Sequence, residues 1–494
     1  MSASNSVPDG RLASNQIGVP GVVFVVLAAV APMTVAIVVA TLAVALGNGG
    51  GVVFAFAAVA CVLLLFAVGY AQMSRELVNA GGFYAFVVKG LGKPGGLVAG
   101  FIATMGYNFF VAGAIGTAGF FTSLVIGELT GIDVHWFLCG LVIMLLAFAF
   151  ARSGIDISAK VLGVALILEI LLLATFSISV LVRTGFSLEV FSGEVIFGGS
   201  LAVALLLAGT AFLGFEATSL FSEEAKDPLR TIPRATYTAI VVIGLLHATT
   251  VWALVSAVGV HEAQDVGLEH LEAGDLMFVV IDEYLGGFLL SLAMVLLVVS
   301  LFAAQLAFHN VAGRYLFSLG RAGILFRGLA RTRANGVPQN GLIVNAAFAI
   351  VVAGLFAVFG LDAITTLVPV MIGFGTLCIV VLQMLAALAI VVHFRRVGDG
   401  RWWKTFIAPG LGFLGLAWIS VMAVLNFPLL AGSDAAYVAV LPWLLAVALV
   451  GGVAYAGYLR ARRPEVYERL QTDLERFDVE PAQVRQPEGS GPRA

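Results

Sequence analysis

The feature that most constrains this chain is the recurrence of apolar runs, each about as long as a bilayer is thick. A helix needs about 20 apolar residues to cross the hydrocarbon core. Runs of that length return along the whole 494-residue sequence. Only 11% of the residues are charged and 61% are hydrophobic, against about 25% charged in an ordinary soluble domain. A chain of this composition has too little polar surface to stay in water. The runs are too long for the alternating segments of roughly 10 residues that build membrane barrels. The sequence therefore predicts an all-α polytopic membrane protein.

Twelve transmembrane helices are predicted, at about 19–46, 52–77, 96–126, 134–151, 158–182, 199–222, 235–260, 286–312, 341–360, 363–392, 404–426 and 435–459. Lys and Arg then orient the chain. With both termini inside, every one of the 26 basic residues except Arg183 falls on the inner side, as the positive-inside rule requires. The expected location is a cell (cytoplasmic) membrane, with cytoplasmic N- and C-termini. The division is a cytoplasmic N-terminal segment (1–17), a transmembrane domain (18–460) and a cytoplasmic tail (461–494). The first 17 residues are polar and lead straight into a span, which predicts no cleavable leader. The tail from Pro464 reads as a short amphipathic helix.

Cys61, Cys139 and Cys378 are far apart in apolar runs and have no disulfide or metal spacing. No His-Glu-x-x-His or ATP-binding Gly-x-x-x-x-Gly-Lys-Ser/Thr pattern occurs. The sequence predicts no enzyme, no catalytic residue, no metal and no cofactor.

Two spans are interrupted at comparable places. The first carries Ala28-Ala29-Val30-Ala31-Pro32, where proline removes a backbone donor and clashes with the preceding turn. The sixth carries Gly209-Thr210-Ala211-Phe212-Leu213-Gly214-Phe215-Glu216. The two are five spans apart. An odd-numbered repeat unit returns inverted, and matched Gly/Pro interruptions in two inverted halves mark a transporter site. Glu216 is expected to face the interior, because a charge facing lipid is costly. Beyond the interruption lies a polar cluster of Glu223, Lys226, Asp227, Arg230 and Arg234. Both an inner gate of salt bridges (Glu223, Lys226, Arg230) and a solvated loop fit that composition. Glu169, His247, Gln305 and His309 are further polar groups in apolar runs, with both proton-relay and helix-packing readings open.

These residues carry a resemblance. Phe212-Leu-Gly-Phe-Glu216 followed by Glu223-Glu-Ala-Lys-Asp-Pro-Leu-Arg-Thr-Ile-Pro-Arg234 resembles the sixth-span signature of the amino acid–polyamine–organocation permeases. Ala80-Gly-Gly-Phe-Tyr-Ala-Phe86, Asn310-Val-Ala-Gly-Arg-Tyr-Leu-Phe-Ser-Leu-Gly-Arg321 and Gly336-Val-Pro338 are similar to other segments of that superfamily. The likeness covers roughly residues 18–460. It implies a five-plus-five inverted-repeat fold of the leucine-transporter type, with repeats at about 18–182 and 199–392 and peripheral helices at about 404–460.

It also implies secondary active transport of amino acids or related small amines by alternating access, through symport or antiport. The alternatives are a polyamine or organocation exchanger and a nutrient sensor on the same fold. By the resemblance, Ala28, Ala29, Val30, Ala31, Tyr107, Asn108, Thr210, Ala211, Phe212 and Gly214 are the candidate substrate-binding residues. Many members carry a Gly-Ser-Gly-like triplet at the first interruption, where this chain has Ala29-Val-Ala-Pro-Met33. Glu216 and Lys160, at the start of the fifth span, are the candidate proton-coupling residues. The eighth span offers sodium one hydroxyl, Ser300, so protons are favoured over sodium. The expected partners are a small-molecule substrate, that ion and the lipid bilayer, and no nucleic acid.

Overall fold

The computed structural model describes residues 18–77, 82–153, 157–216, 218, 225–333, 336–432 and 436–475. Among these it is all-helical, with no strand. Ten segments among the described residues are long and apolar enough to cross a membrane. The first of them, Val19–Glu76, contains more than one helix.

The chain enters through α1 (Val19–Val30) and stops at Ala31, whose φ of 56° is left-handed. A second half-helix, α2, continues through Pro32–Thr34, Val35–Val39, Ala40–Ala43 and Val44–Asn48, with two of these stretches wound as π-helix. Then come α3 (Val52–Glu76) and α4 (Gly82–Thr130). α4 turns sharply at Gly92, where φ is 78°. α5 (Trp136–Ser153), α6 (Ile157–Thr184) and α7 (Leu201–Thr210) follow. After α7 the chain unwinds into turns through Gly214. It resumes in α8 (Pro228–Val258), α9 (Gly287–Arg321), α10 (Gln339–Val358), α11 (Val368–Arg396), α12 (Ala408–Leu425) and α13 (Trp443–Arg462).

Helices in lipid gain little from apolar burial, so close backbone approach matters instead. Glycines supply it where α4 crosses α11. A Cβ built on Gly375 would fall 2.8 Å from Phe110 N and 2.9 Å from Gly106 O. One built on Gly106 would fall 2.8 Å from Cys378 Cβ. The backbones touch with no side chain between them. Gly119 and Gly140 bring α4 onto α5, and Gly313 and Gly341 bring α9 onto α10, in the same way.

At one end of the bundle the far end of α2 is tied down. Gln264 donates to Gly47 O at 3.1 Å, Ser200 N to Gly47 O at 2.8 Å and Asn48 to Ile196 O at 2.8 Å. At the opposite end the basic residues gather. Arg396 donates to Gly90 O at 3.0 Å, and His393 Nε2 lies 2.7 Å from Glu76 Oε2. The tail helix α14 (Pro464–Glu475) docks here, with Glu468 2.7 Å from Lys93 and the Lys93 ammonium over the Tyr467 ring.

Arg401 joins α3 to the α11–α12 connection. It donates to Gln72 Oε1 at 2.9 Å and grips Asp399 through Nε at 3.0 Å and Nη2 at 2.5 Å. That grip holds the Asp399 carboxyl down at about 2, below its ordinary value of about 3.9. A depressed carboxylate stabilises the fold above its unfolded value and loses that contribution as pH falls through the folded one. Wild type is therefore expected to melt above Asp399→Asn at neutral pH, with the gap closing as pH drops from about 4 toward 2. Melting curves of both proteins across that range check it.

Candidate functional site

The two interruptions meet. At α7 the helix ends at Thr210, and the amides of Ala211, Phe212 and Leu213 reach back only three residues, to Ala208, Gly209 and Thr210. Gly214 then takes φ 112°, a region that side chains other than glycine's rarely enter. Its bare face lies against the first interruption: a Cβ there would sit 3.3 Å from Ala29 Cβ and 3.5 Å from Val30 N. The sequence places the two breaks at matched positions, and the structure puts them in contact.

Glu216 is the side chain at this junction, 5% exposed. Its Oε2 accepts the Gly214 N–H at 2.9 Å, and its Oε1 accepts the Tyr107 hydroxyl at 2.7 Å. The carboxylate thus caps an amide that the broken helix has freed, and ties it to α4. Tyr107 is held in turn by stacking on Tyr315 of α9, with centroids 5.2 Å apart. Thr210 is 2.9 Å from Thr376 across the α7–α11 contact. Beyond the break, Thr218 bonds Tyr70 at 2.7 Å and Thr236 at 3.0 Å. Phe215 sits edge-on to Phe66 and Phe83.

Of the residues singled out in the sequence, Ala29, Val30, Ala31, Thr210, Ala211, Phe212, Gly214, Glu216 and Tyr107 are all buried, and Ala28 is half-buried. Asn108 faces elsewhere. It donates to Thr104 O and accepts from Asn345 at 2.9 Å, and Asn345 also pairs with His309. Asn108 and His309 thus work in the α4–α10–α9 contact. Gln305 donates to Met144 Sδ of α5. His247 bonds Ile243 O on its own helix. Lys160 lies in the first turns of α6, with its side chain outside the described residues. Glu223 lies outside them altogether. Lys226 and Arg230 are exposed, and Arg230 pairs locally with Asp227 at 3.5 Å.

The sequence left Glu169 without a partner, and the structure supplies one 136 residues away. Its Oε2 accepts the Met33 N–H at 3.1 Å and the Ser300 hydroxyl at 2.9 Å, and Thr34 N donates to Ser300 Oγ at 3.3 Å. Proline has no N–H, so Met33 and Thr34 carry the first amides past the break. No local pattern announces this pairing. The nearest signal was an acidic residue deep in an apolar run.

Two buried carboxylates, each accepting a freed amide at one of two touching helix interruptions, thus sit inside a bundle of membrane-length helices. Comparison with known proteins identifies the family. The family model described as amino acid permease matches residues 17–454. The chain is 26% identical to the branched-chain amino acid permease BcaP of Lactococcus lactis subsp. cremoris (strain MG1363) over 402 residues, 74% of this chain and 81% of that one. It is 27% identical to the branched-chain amino acid permease BcaP of Bacillus subtilis (strain 168) over 248 residues, 46% and 51% of the two chains. With the family model spanning nearly all of the helical bundle, the chain belongs to the amino acid permease family of the amino acid–polyamine–organocation superfamily.

Proposed function

We propose that this protein is a proton-coupled or exchanging transporter of amino acids in the cytoplasmic membrane, alternating access around the junction of α1–α2 with the unwound segment after α7. The contact of Gly214 with Ala29 and Val30 carries this reading. It makes the two broken helices one site, with Glu216 as its ionisable group. The reading takes α1–α2 and α3 as separate crossings and α7 as the start of another, so that the chain has twelve spans arranged as two inverted halves with α12 and α13 peripheral.

The walls of the junction suit an aliphatic amino acid. Val30, Ala211 and Phe212 are apolar and buried, and both relatives named above are branched-chain amino acid permeases. A polyamine would need free carboxylates, and Glu216 and Glu169 are both engaged with donors of the chain itself. Tyr107 and Glu216 stand where a substrate's ammonium and carboxylate would compete for partners. Lys160 is a second coupling candidate, and Glu223, Lys226 and Arg230 are candidates for the inner gate.

The test is thermal stabilisation of purified protein by leucine, isoleucine, valine, other amino acids and polyamines, since a ligand that binds only the folded state raises the melting point. Counterflow in proteoliposomes follows with the best binder. Saturable counterflow of an aliphatic amino acid is expected. Flux linear in concentration and indifferent to counter-substrate would refute a carrier.

A further inference from the structure

Glu169 lies midway along α6 and is 3% exposed. A carboxylate at this depth is costly to insert, so its surroundings must offset that cost. They do so through one oxygen. Oε2 takes both the Met33 amide and the Ser300 hydroxyl, while Oε1 has no hydrogen bond among the described residues. Ser300 accepts from Thr34 N and donates to Glu169, so it has a fixed direction and passes the polarity of the α2 start onward to the carboxylate. Three elements meet at one side chain: α6, the start of α2 and the middle of α9. A negative charge at the start of a helix is favourable there, and ionised acceptors make the stronger bonds.

We propose that Glu169 is a second proton-coupling residue, distinct from the junction at Glu216, that clamps α2 against α6 and α9 when ionised and releases it when protonated. The chemistry is a proton transfer alone. A proton from water on one side joins Oε1 and neutralises the carboxylate. The acid's remaining oxygen is then a poorer acceptor for Met33 and Ser300, and α2 is freed to move. The same proton leaves to the other side when the clamp re-forms.

Of the ionisable groups on the elements around α6, His247 on α8 bonds Ile243 O of its own helix and also faces the Pro32 carbonyl beside Met33, and His309 on α9 pairs with Asn345. Asp282, Glu283 and Tyr284 sit in the short helix Leu276–Leu285, beside Arg183 at the far end of α6. Lys160 is nine residues toward the other end, about 13 Å along the helix. The proposal rests on the transport reading above.

The test uses Glu169→Gln, because a glutamine oxygen accepts the same two donors but takes up no proton. Wild type and variant are reconstituted with a labelled mixture of the proteinogenic amino acids. Two assays are run: counterflow at equal pH on both sides, and accumulation driven by a pH gradient. Expected for Glu169→Gln is counterflow within about threefold of wild type, flat between about pH 5.5 and 8, and gradient-driven accumulation at least about tenfold lower. Accumulation within about twofold of wild type overturns the role. If the glutamine variant does not fold, Ser300→Ala decides. It removes one donor and leaves the carboxylate, so the pH midpoint of wild-type counterflow is expected to move by about half a unit or more. An unmoved midpoint overturns the role. Absence of counterflow in wild type overturns the transport reading itself, and is thereby distinguishable from failure of Glu169 alone.

Discussion

Glu216→Ala is expected to lose amino acid uptake by at least about 100-fold, and to melt lower than wild type. Alanine leaves two buried donors unanswered, the Tyr107 hydroxyl and the Gly214 amide. Each such donor costs about 1–3 kcal/mol. That cost lowers the melting point, whereas the loss of uptake is expected from removing the junction's ionisable group. Glu216→Gln separates charge from shape. Its oxygen accepts from Gly214 and its amide donates to the Tyr107 oxygen, so the fold is expected to survive near wild-type stability while uptake falls. Tyr107→Phe takes the Tyr107 donor from the buried Oε1 of Glu216 while the bond to Gly214 stays, and it is expected to fall between the two. Uptake in proteoliposomes and melting in detergent, measured on the same preparations, check all three. Full uptake by Glu216→Gln would reduce Glu216 to a structural cap.

The largest loss of stability is expected at Gly375→Val. The added Cβ meets Phe110 N and Gly106 O, both backbone atoms of α4, at 2.8 and 2.9 Å. A flexible side chain moves aside at little cost, but a helix backbone does not. The valine must therefore wedge α11 away from α4, and about 3 kcal/mol or more is expected, above the usual cost of overpacking. Gly375→Ala, with the same Cβ and no further methyls, lies between. Gly457→Ala in α13 is the control, since nothing lies within 4 Å of its built Cβ. Melting temperature and the monodisperse fraction after purification read the difference. Equal stability of Gly375→Val and Gly457→Ala would show that the helices do not cross this closely.

How much of this was legible in the sequence follows from how local each signal is. The break at Pro32 and the pair Gly214–Glu216 were visible because proline, glycine and a lone acid disrupt an apolar run wherever they stand. The left-handed turn falls on Ala31, inside the Ala28–Pro32 stretch. The π-wound stretches of α2 and the turn of α4 at Gly92 were not anticipated, because apolar content is the same on both sides of them. The pairings of Glu169 with Met33 and of Arg401 with Gln72 join residues more than a hundred positions apart. Nothing in their neighbours' composition encodes such a partner. Asn108 was read with Tyr107 because they are adjacent, yet successive helical residues point about 100° apart. One reaches the junction and the other the contact with α10.

Both helix interruptions are capped by side chains of the chain itself, one from α6 and one from just beyond its own break. Glu169 answers the amide at Met33 and Glu216 answers the one at Gly214. A carrier whose unwound backbone is satisfied only by its cargo pays for exposed amides whenever it is empty, and the return stroke without cargo is then the slow one. Here the chain's own carboxylates accept those amides. On the transport reading proposed above, this removes one energetic reason for obligatory one-for-one exchange.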